Sequence, residues 1–304
     1  MALILDADVQ QMLACPKCGA EVGLSGEALV CRPCGLHFPV RDGIPIMLIE
    51  SATDGRGASG YAAHAETDTE SIAFYDTFYK GFNDYRRYAR ADVDFVRKLF
   101  RRLELRPESK ILDLGSGTGY FHSLIEQMTG HKVVSADFSF EGFRAAREHY
   151  GLNNLVVMDA YESAFRAESL DVVLAIGLTP FKKSEHADIV DLVSRVARPI
   201  RAGGYFVFVW STNLSGKVQD ASVTTTDGKA RTSRYYNHTR QGIGRAFGDS
   251  GCFSAVEDFA FIRPLSRLYG PLTMSRANTL LTEVLMKVTP RSLSARLVVI
   301  GRKS

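Results

Sequence analysis

Ile111-Leu112-Asp113-Leu114-Gly115-Ser116-Gly117-Thr118-Gly119-Tyr120 is the stretch whose reading decides the fold. Its first half is apolar apart from one acid and reads as a buried strand; three alternating glycines then open into a helical pattern over 120–129. Glycines at such a junction allow a tight turn and let a ligand approach the backbone closely. The spacing G-x-G-x-G differs from the dinucleotide fingerprint G-x-G-x-x-G, because Tyr120 stands where the interval would continue. A glycine loop alone says little. Asp113, two residues before Gly115, says more: its carboxylate opposes a pyrophosphate and attracts a cationic amino group.

Outward from this stretch, short apolar runs alternate with helical ones. Val133–Ala136, Leu155–Met158, Leu170–Ile176 and Tyr205–Trp210 read as strands, with helices expected at 120–129, 140–149 and 186–198. Strands apolar on both faces, separated by helices, predict an α/β fold with a mostly parallel sheet covered on both sides. Ala255–Ile262 and Arg296–Ile300 read as two further strands. Asp137 follows the second strand and Asp159 the third, so three acids fall in phase at the carboxyl edge of the sheet, where such folds bind ligands. An acid at the place of Asp137 can accept both hydroxyls of an adenosine ribose. Asp159 can accept from an adenine amino group while the Ala160 amide faces the ring. The competing reading of each acid is a helix cap.

These motifs resemble the class I S-adenosylmethionine (AdoMet) methyltransferases. ILDLGSGTG (111–119) matches their glycine motif, VVSADFS (133–139) the ribose motif, VVMDA (156–160) the adenine motif, LDVVLAIG (170–177) the fourth strand, and RPIRAGGYFVFVW (198–210) the turn into the fifth, with Gly203-Gly204 as the reversal. The likeness extends over roughly 110–304. It implies a Rossmann-like core with a seven-stranded, mostly parallel sheet and helices on both faces, and AdoMet as co-substrate. Asp113, Gly115, Ser116, Gly117 and Gly119 would cradle its methionine part, Asp137 and Phe138 the ribose, Asp159 and Ala160 the adenine, with Gly177 ending the fourth-strand motif beside them. Many members carry a His just past the fourth strand; here Phe181 stands near that place, and the Asn/Asp-Pro-Pro-Tyr/Phe signature of exocyclic-amine methylation is missing. No catalytic residue is assigned. His122, His186, His238, Tyr75 and Tyr79 are candidates, each more often structural.

The N-terminal fifty residues carry different chemistry. Cys15, Cys18, Cys31 and Cys34 form C-x2-C-x12-C-x2-C, the spacing of a closed four-thiolate zinc site with no position left for water. Gly19 and Gly35 follow the second cysteine of each pair. A unit this small gains much of its folding energy from the metal. Cys252 stands apart as an ordinary apolar residue. The segment resembles the Trm112-like zinc ribbons through LACPKCG (13–19), CRPCG (31–35) and FPVRDGIPIML (38–48). Members of that family partner methyltransferases or are fused to them.

The whole chain is then expected to divide into a ribbon over 1–50, a glycine-rich linker over 51–70, and a methyltransferase domain over 71–304 with a helical extension at 71–106 and an insertion at 263–294. Its 304 residues, 45% hydrophobic and 23% charged with a net charge of +3, suit a globular protein and do not by themselves argue for nucleic acid. No apolar run reaches the roughly 18 residues of a membrane span, no basic flank marks a secretory signal, and paired cysteines favour a reducing compartment, so the cytoplasm is the default expectation. The insertion is rich in Leu, with Met274, Met286, Val284 and Tyr269 beside them, and suits a roof over an apolar small-molecule methyl acceptor or the face of a homodimer. An RNA base is the alternative acceptor, with Arg86, Arg87, Arg90, Arg97, Lys98, Arg101 and Arg102 placed to meet phosphates. A third reading is an AdoMet-binding regulatory partner without turnover.

Overall fold

The computed structural model describes residues 3–49, 53–54, 79, 88–178, 186–213, 219–224, 230–235, 239–262 and 294–304. The expected linker and the 263–294 insertion fall almost wholly outside these residues, as do Tyr75, Arg86, Arg87, Phe181 and His238.

Strands β6 (Ile111–Leu114), β7 (Val133–Asp137), β8 (Leu155–Val157), β9 (Leu170–Ile176), β10 (Ile200–Asn213), β13 (Phe253–Ile262) and β14 (Ser294–Lys303) form one sheet in the order β13-β14-β10-β9-β6-β7-β8. The β10·β9, β9·β6, β6·β7 and β7·β8 pairs are parallel, and β14 runs antiparallel to both its neighbours. The glycine pair expected to reverse the chain before the fifth strand lies instead within β10, where the register with β9 shifts between Ile200 and Tyr205. Helices α2 (Arg90–Phe100) and α3 (Tyr120–Thr129) cover one face. Phe95, Val96 and Leu99 of α2 recur at helical spacing and pack with Leu124, Ile125, Val172, Leu174 and Phe261. On the opposite face α5 (His186–Ala197) and α6 (Arg240–Asp249) bring Leu192, Val193, Ile243 and Phe247 onto Phe206 and Phe208. Helix α4 (Phe140–Tyr150) begins at the Ser139 cap, whose hydroxyl accepts from the Gly142 amide. Strands β11 (Gln219–Thr224) and β12 (Ala230–Tyr235) pair as a separate hairpin.

The N-terminal unit consists of α1 (Ala7–Met12) and the strands β1 (Val22–Ser25), β2 (Ala28–Cys31), β3 (Leu36–Arg41), β4 (Ile44–Pro45) and β5 (Thr53–Asp54), the last pairing with β3. It lies along the edge of the large sheet. Ile46 bridges Val157 in parallel, and the Met47 amide donates to the Val157 carbonyl at 2.7 Å. Ala14 donates to Ala164 and Arg166 to Met12, both at 2.8 Å. Asn154, in the left-handed region at φ 58°, is tied to Asp6 by two side-chain hydrogen bonds. Leu5, Val9, Met12, Leu13 and Phe38 share one buried apolar cluster with Val134, Val156, Met158 and Phe165. The β8 edge, which would otherwise present open amides and carbonyls, is therefore covered from within the chain.

Candidate cofactor and metal sites

The glycine loop leaves β6 at the carboxyl edge and enters α3. Gly115, Gly117 and Gly119 take φ of 75°, 55° and 74°, a region that side chains with a β-carbon rarely occupy. Space is closed to them as well. A β-carbon on Gly117 would come within 2.6 Å of the Tyr79 hydroxyl, one on Gly115 within 2.5 Å of Leu178 Cδ1, and one on Gly119 within 2.4 Å of Leu152 Cδ1. Tyr79 thus packs directly on the loop. The loop is also pinned to the end of β7, because the Gly117 amide donates to Asp137 Oδ2 at 2.8 Å while Asp137 Oδ1 accepts from Ser139 at 2.9 Å.

The three acids sit together at this edge and are all buried. Asp113 differs from the others. Burial, followed by the repulsion of Asp137, pushes its pKa up to about 7, and a backbone hydrogen bond from His122 offsets only part of the rise. Its Oδ2 is buried without a hydrogen-bond partner, as is Ser116 Oγ in the loop and Trp210 Nε1 toward the carboxyl end of β10. Buried polar atoms without partners are uncommon, and at this edge they fit a site in which a ligand or water supplies the missing bond. Asp159 is engaged differently, with Oδ1 accepting from the Tyr161 amide at 2.8 Å. Phe138 and Ala160 are partly buried beside their acids, and Gly177, at φ 78°, donates its amide to Val209 at 2.7 Å. Of the histidines, His122 is buried, with Nδ1 2.8 Å from Ser135 Oγ and Nε2 3.2 Å from Glu126, which is the arrangement of a satisfied core residue.

The sulfur atoms of Cys15, Cys18, Cys31 and Cys34 all lie within 4.8 Å of one another. A tetrahedral zinc with sulfurs at about 2.3 Å spaces them by about 3.8 Å, so the cluster fits the ion. The knuckle is closed by Gly19 donating to the Cys15 carbonyl and Cys15 to the Ala20 carbonyl. Among thiols alone, burial raises Cys15, and the hydrogen bond with Cys18 leads the rise of Cys34 to about 11. A divalent cation supplies the charge that lets such thiols ionise. At Gly19 a β-carbon would meet the Arg198 guanidinium at 2.7 Å, so the large domain packs against the metal knuckle itself.

Residues 112–208, the run from β6 into β10, match the family described as methyltransferase domain, and residues 6–43 match the Trm112p-like proteins. The chain is an AdoMet-dependent methyltransferase with an N-terminal Trm112-like module. The N-terminal part of this methyltransferase is 46% identical over 50 residues to a UPF0434 protein of Dechloromonas aromatica, covering 16% of this chain and 86% of that protein. The chain is also 30% identical over 135 residues to an uncharacterised methyltransferase of Schizosaccharomyces pombe, a match that covers 42% of this chain and half of that protein. Among solved structures, the complex of the Haloferax volcanii Trm112 methyltransferase activator with a putative methyltransferase aligns with a TM-score of 0.48 at 17% identity, over 77% of this chain and 97% of that one. A Haemonchus contortus phosphoethanolamine N-methyltransferase aligns with a TM-score of 0.49 at 15% identity, over 79% and 59%. Among the described residues of the methyltransferase, no helix is long and apolar enough to cross a membrane.

Sequence reasoning missed a buried polar group beside the loop. Asp92 of α2 and Arg296 of β14 form an ion pair of 2.6 Å, each side chain only 5% exposed, and Tyr120 donates to the same carboxylate at 2.8 Å. The signal was available: Asp92 lies on the apolar face with Phe95, Val96 and Leu99, where a solvated acid does not belong.

Proposed function

We propose that the methyltransferase acts on a small-molecule acceptor, with AdoMet held by the carboxyl-edge acids. The Asp113 carboxylate takes the ammonium of the methionine part, the loop of Gly115, Ser116, Gly117 and Gly119 lies along that part, Asp137 and Phe138 take the ribose, and Asp159 and Ala160 take the adenine, with Gly177 lining the pocket. In the reaction the acceptor's lone pair attacks the methyl carbon, the carbon–sulfur bond breaks with its electrons going to sulfur, and an acceptor proton, where there is one, leaves to a base or to water. The chain's task is alignment and exclusion of water.

One observation carries the choice of a small acceptor over RNA. The basic residues of α2 and the turn after it are in large part committed to the protein. Arg97 pairs with Asp94 at 2.9 Å, Arg102 pairs with Glu257 and lies over the Phe259 ring, and Lys98 lies over Phe261 with its pKa lowered by burial. Lys98 and Arg102 help dock α2 on β13 and Arg97 is paired within its own helix, so these cations are less available to release counterions from a phosphate backbone. The test is transfer of labelled methyl from AdoMet to a small-metabolite extract and, separately, to total RNA. Label in the extract alone is expected. Label in RNA, with binding that falls at a log–log salt slope near −4 as for about five neutralised phosphates, would reverse the assignment.

A further inference from the structure

We propose that Tyr79 belongs to the cofactor site, seated by Gly117 and Gly142 so that its hydroxyl serves the carboxylate of the methionine part of AdoMet. Tyr79 stands outside the run 112–208 that matches the methyltransferase family. Its ring lies along a notch between the glycine loop and the first turn of α4. The hydroxyl end is at the loop, where a β-carbon on Gly117 would come within 2.6 Å of the oxygen and 3.2 Å of Cζ. The other end is at α4, where a β-carbon on Gly142 would come within 3.1 Å of Cδ2 and 3.0 Å of the Gly117 carbonyl oxygen. Both walls of the notch are fastened: the Gly117 amide donates to Asp137 Oδ2 at 2.8 Å and the Gly142 amide to Ser139 Oγ at 3.1 Å. Gly142 is buried within α4 and does not take a positive φ, so the backbone does not require glycine there, and glycine is a poor helix former. What requires it is the space taken by the Tyr79 ring and the Gly117 carbonyl. The methionine part brings a carboxylate as well as an ammonium. Three buried acids line this edge, so that carboxylate is stable there only with hydrogen-bond donors beside it. A phenol is a neutral donor of the right kind, and Tyr79 brings one to the loop.

The inference rests on the AdoMet reading above, and the experiment separates the two. Affinities of S-adenosylhomocysteine and of its decarboxylated analogue are measured by calorimetry for the wild type and for Tyr79→Phe. The analogue keeps the adenosine, the sulfur and the ammonium and lacks only the carboxylate. Tyr79→Phe removes one oxygen and keeps the ring in its notch. The expected result is about tenfold weaker binding of S-adenosylhomocysteine, the size of one hydrogen bond to a charged group, with the analogue unchanged. Gly142→Ala should weaken S-adenosylhomocysteine more than the analogue, because the added methyl displaces the Tyr79 ring, and this selective loss should vanish in the Tyr79→Phe background. Equal weakening of both ligands by Tyr79→Phe would make Tyr79 a packing residue of the loop, and no weakening would take it out of the site; either result overturns the inference. So does a selective loss from Gly142→Ala that persists without the hydroxyl, since it would act through the Gly117 carbonyl alone. A wild type that binds neither ligand would remove the AdoMet reading itself.

Discussion

In the proposed site Asp113 receives the ammonium of AdoMet, and its chemistry makes a measurable demand. A carboxyl with its folded pKa near 7, against 3.8 in the open chain, binds more protons in the folded protein across that interval. Ligand-free stability from this group is therefore greatest at low pH and is lost as pH rises from about 4 to 7. Ionising the group for a cationic ligand costs about 1.4 kcal/mol per pH unit below 7. Affinity for S-adenosylhomocysteine is then expected to fall about tenfold per unit between pH 7 and pH 5.5, and the thermal upshift caused by this ligand should be larger at pH 8 than at pH 5.5. Asp113→Asn should bind more weakly and lose the pH dependence; a flat profile in the wild type would take the ammonium away from Asp113. Asp137 calls for a different reading, since its oxygens already hold the Gly117 and Ser139 amides. Asp137→Ala should cost ligand affinity about 2–3 kcal/mol, from two hydrogen bonds to a charged group, and should also loosen the loop, seen as faster amide exchange at 115–119.

Single elements show why some of the fold was legible and some was not. The alternation from 111 to 176 could be read because each strand is continuously apolar and each helix is bounded, α3 by Gly119 and Gly130 and α4 by Ser139 and Gly151. Helix α6 escaped notice because RQGIGRAFGD contains three glycines and has low intrinsic propensity. Its buried Ile243, Ala246 and Phe247 and the Thr239 cap were the available signals. The β11–β12 pairing also went unread, although Asp227-Gly228 stands in the sequence between the two strands. The pairing of 46–47 with β8 could not have been read, since nothing local encodes which edge a strand will find. That pairing is directly testable. Met47→Pro removes the amide that donates to Val157 and leaves a buried carbonyl without its partner. The expected cost is about 1–3 kcal/mol of unfolding free energy by urea titration, and Met47→Leu, which keeps the amide, should cost less than about 1.5 kcal/mol.

For the molecule as a whole, the sequence suggests a ribbon that folds apart from the rest, whereas the described structure gives the two parts one apolar cluster and a shared sheet edge. Zinc should therefore matter beyond residues 1–50. About one zinc per chain is expected in elemental analysis, and less than about 0.2 would mean an empty site. Chelation should lower the melting temperature of the entire protein and raise amide exchange in β8 as well as in the ribbon; exchange confined to residues 3–49 would show the parts to be energetically independent. The same arrangement bears on how the protein is made. Met47 is synthesised 110 residues before its partner Val157, an interval on the order of 5–20 s at usual elongation rates. During that time the ribbon must hold its metal without the sheet, and when β8 emerges from the ribosome its cover is already waiting beside it. A cell short of zinc would then produce nascent chains whose sheet closes with one edge bare, so metal supply would govern the yield of soluble enzyme even though the metal takes no part in the chemistry.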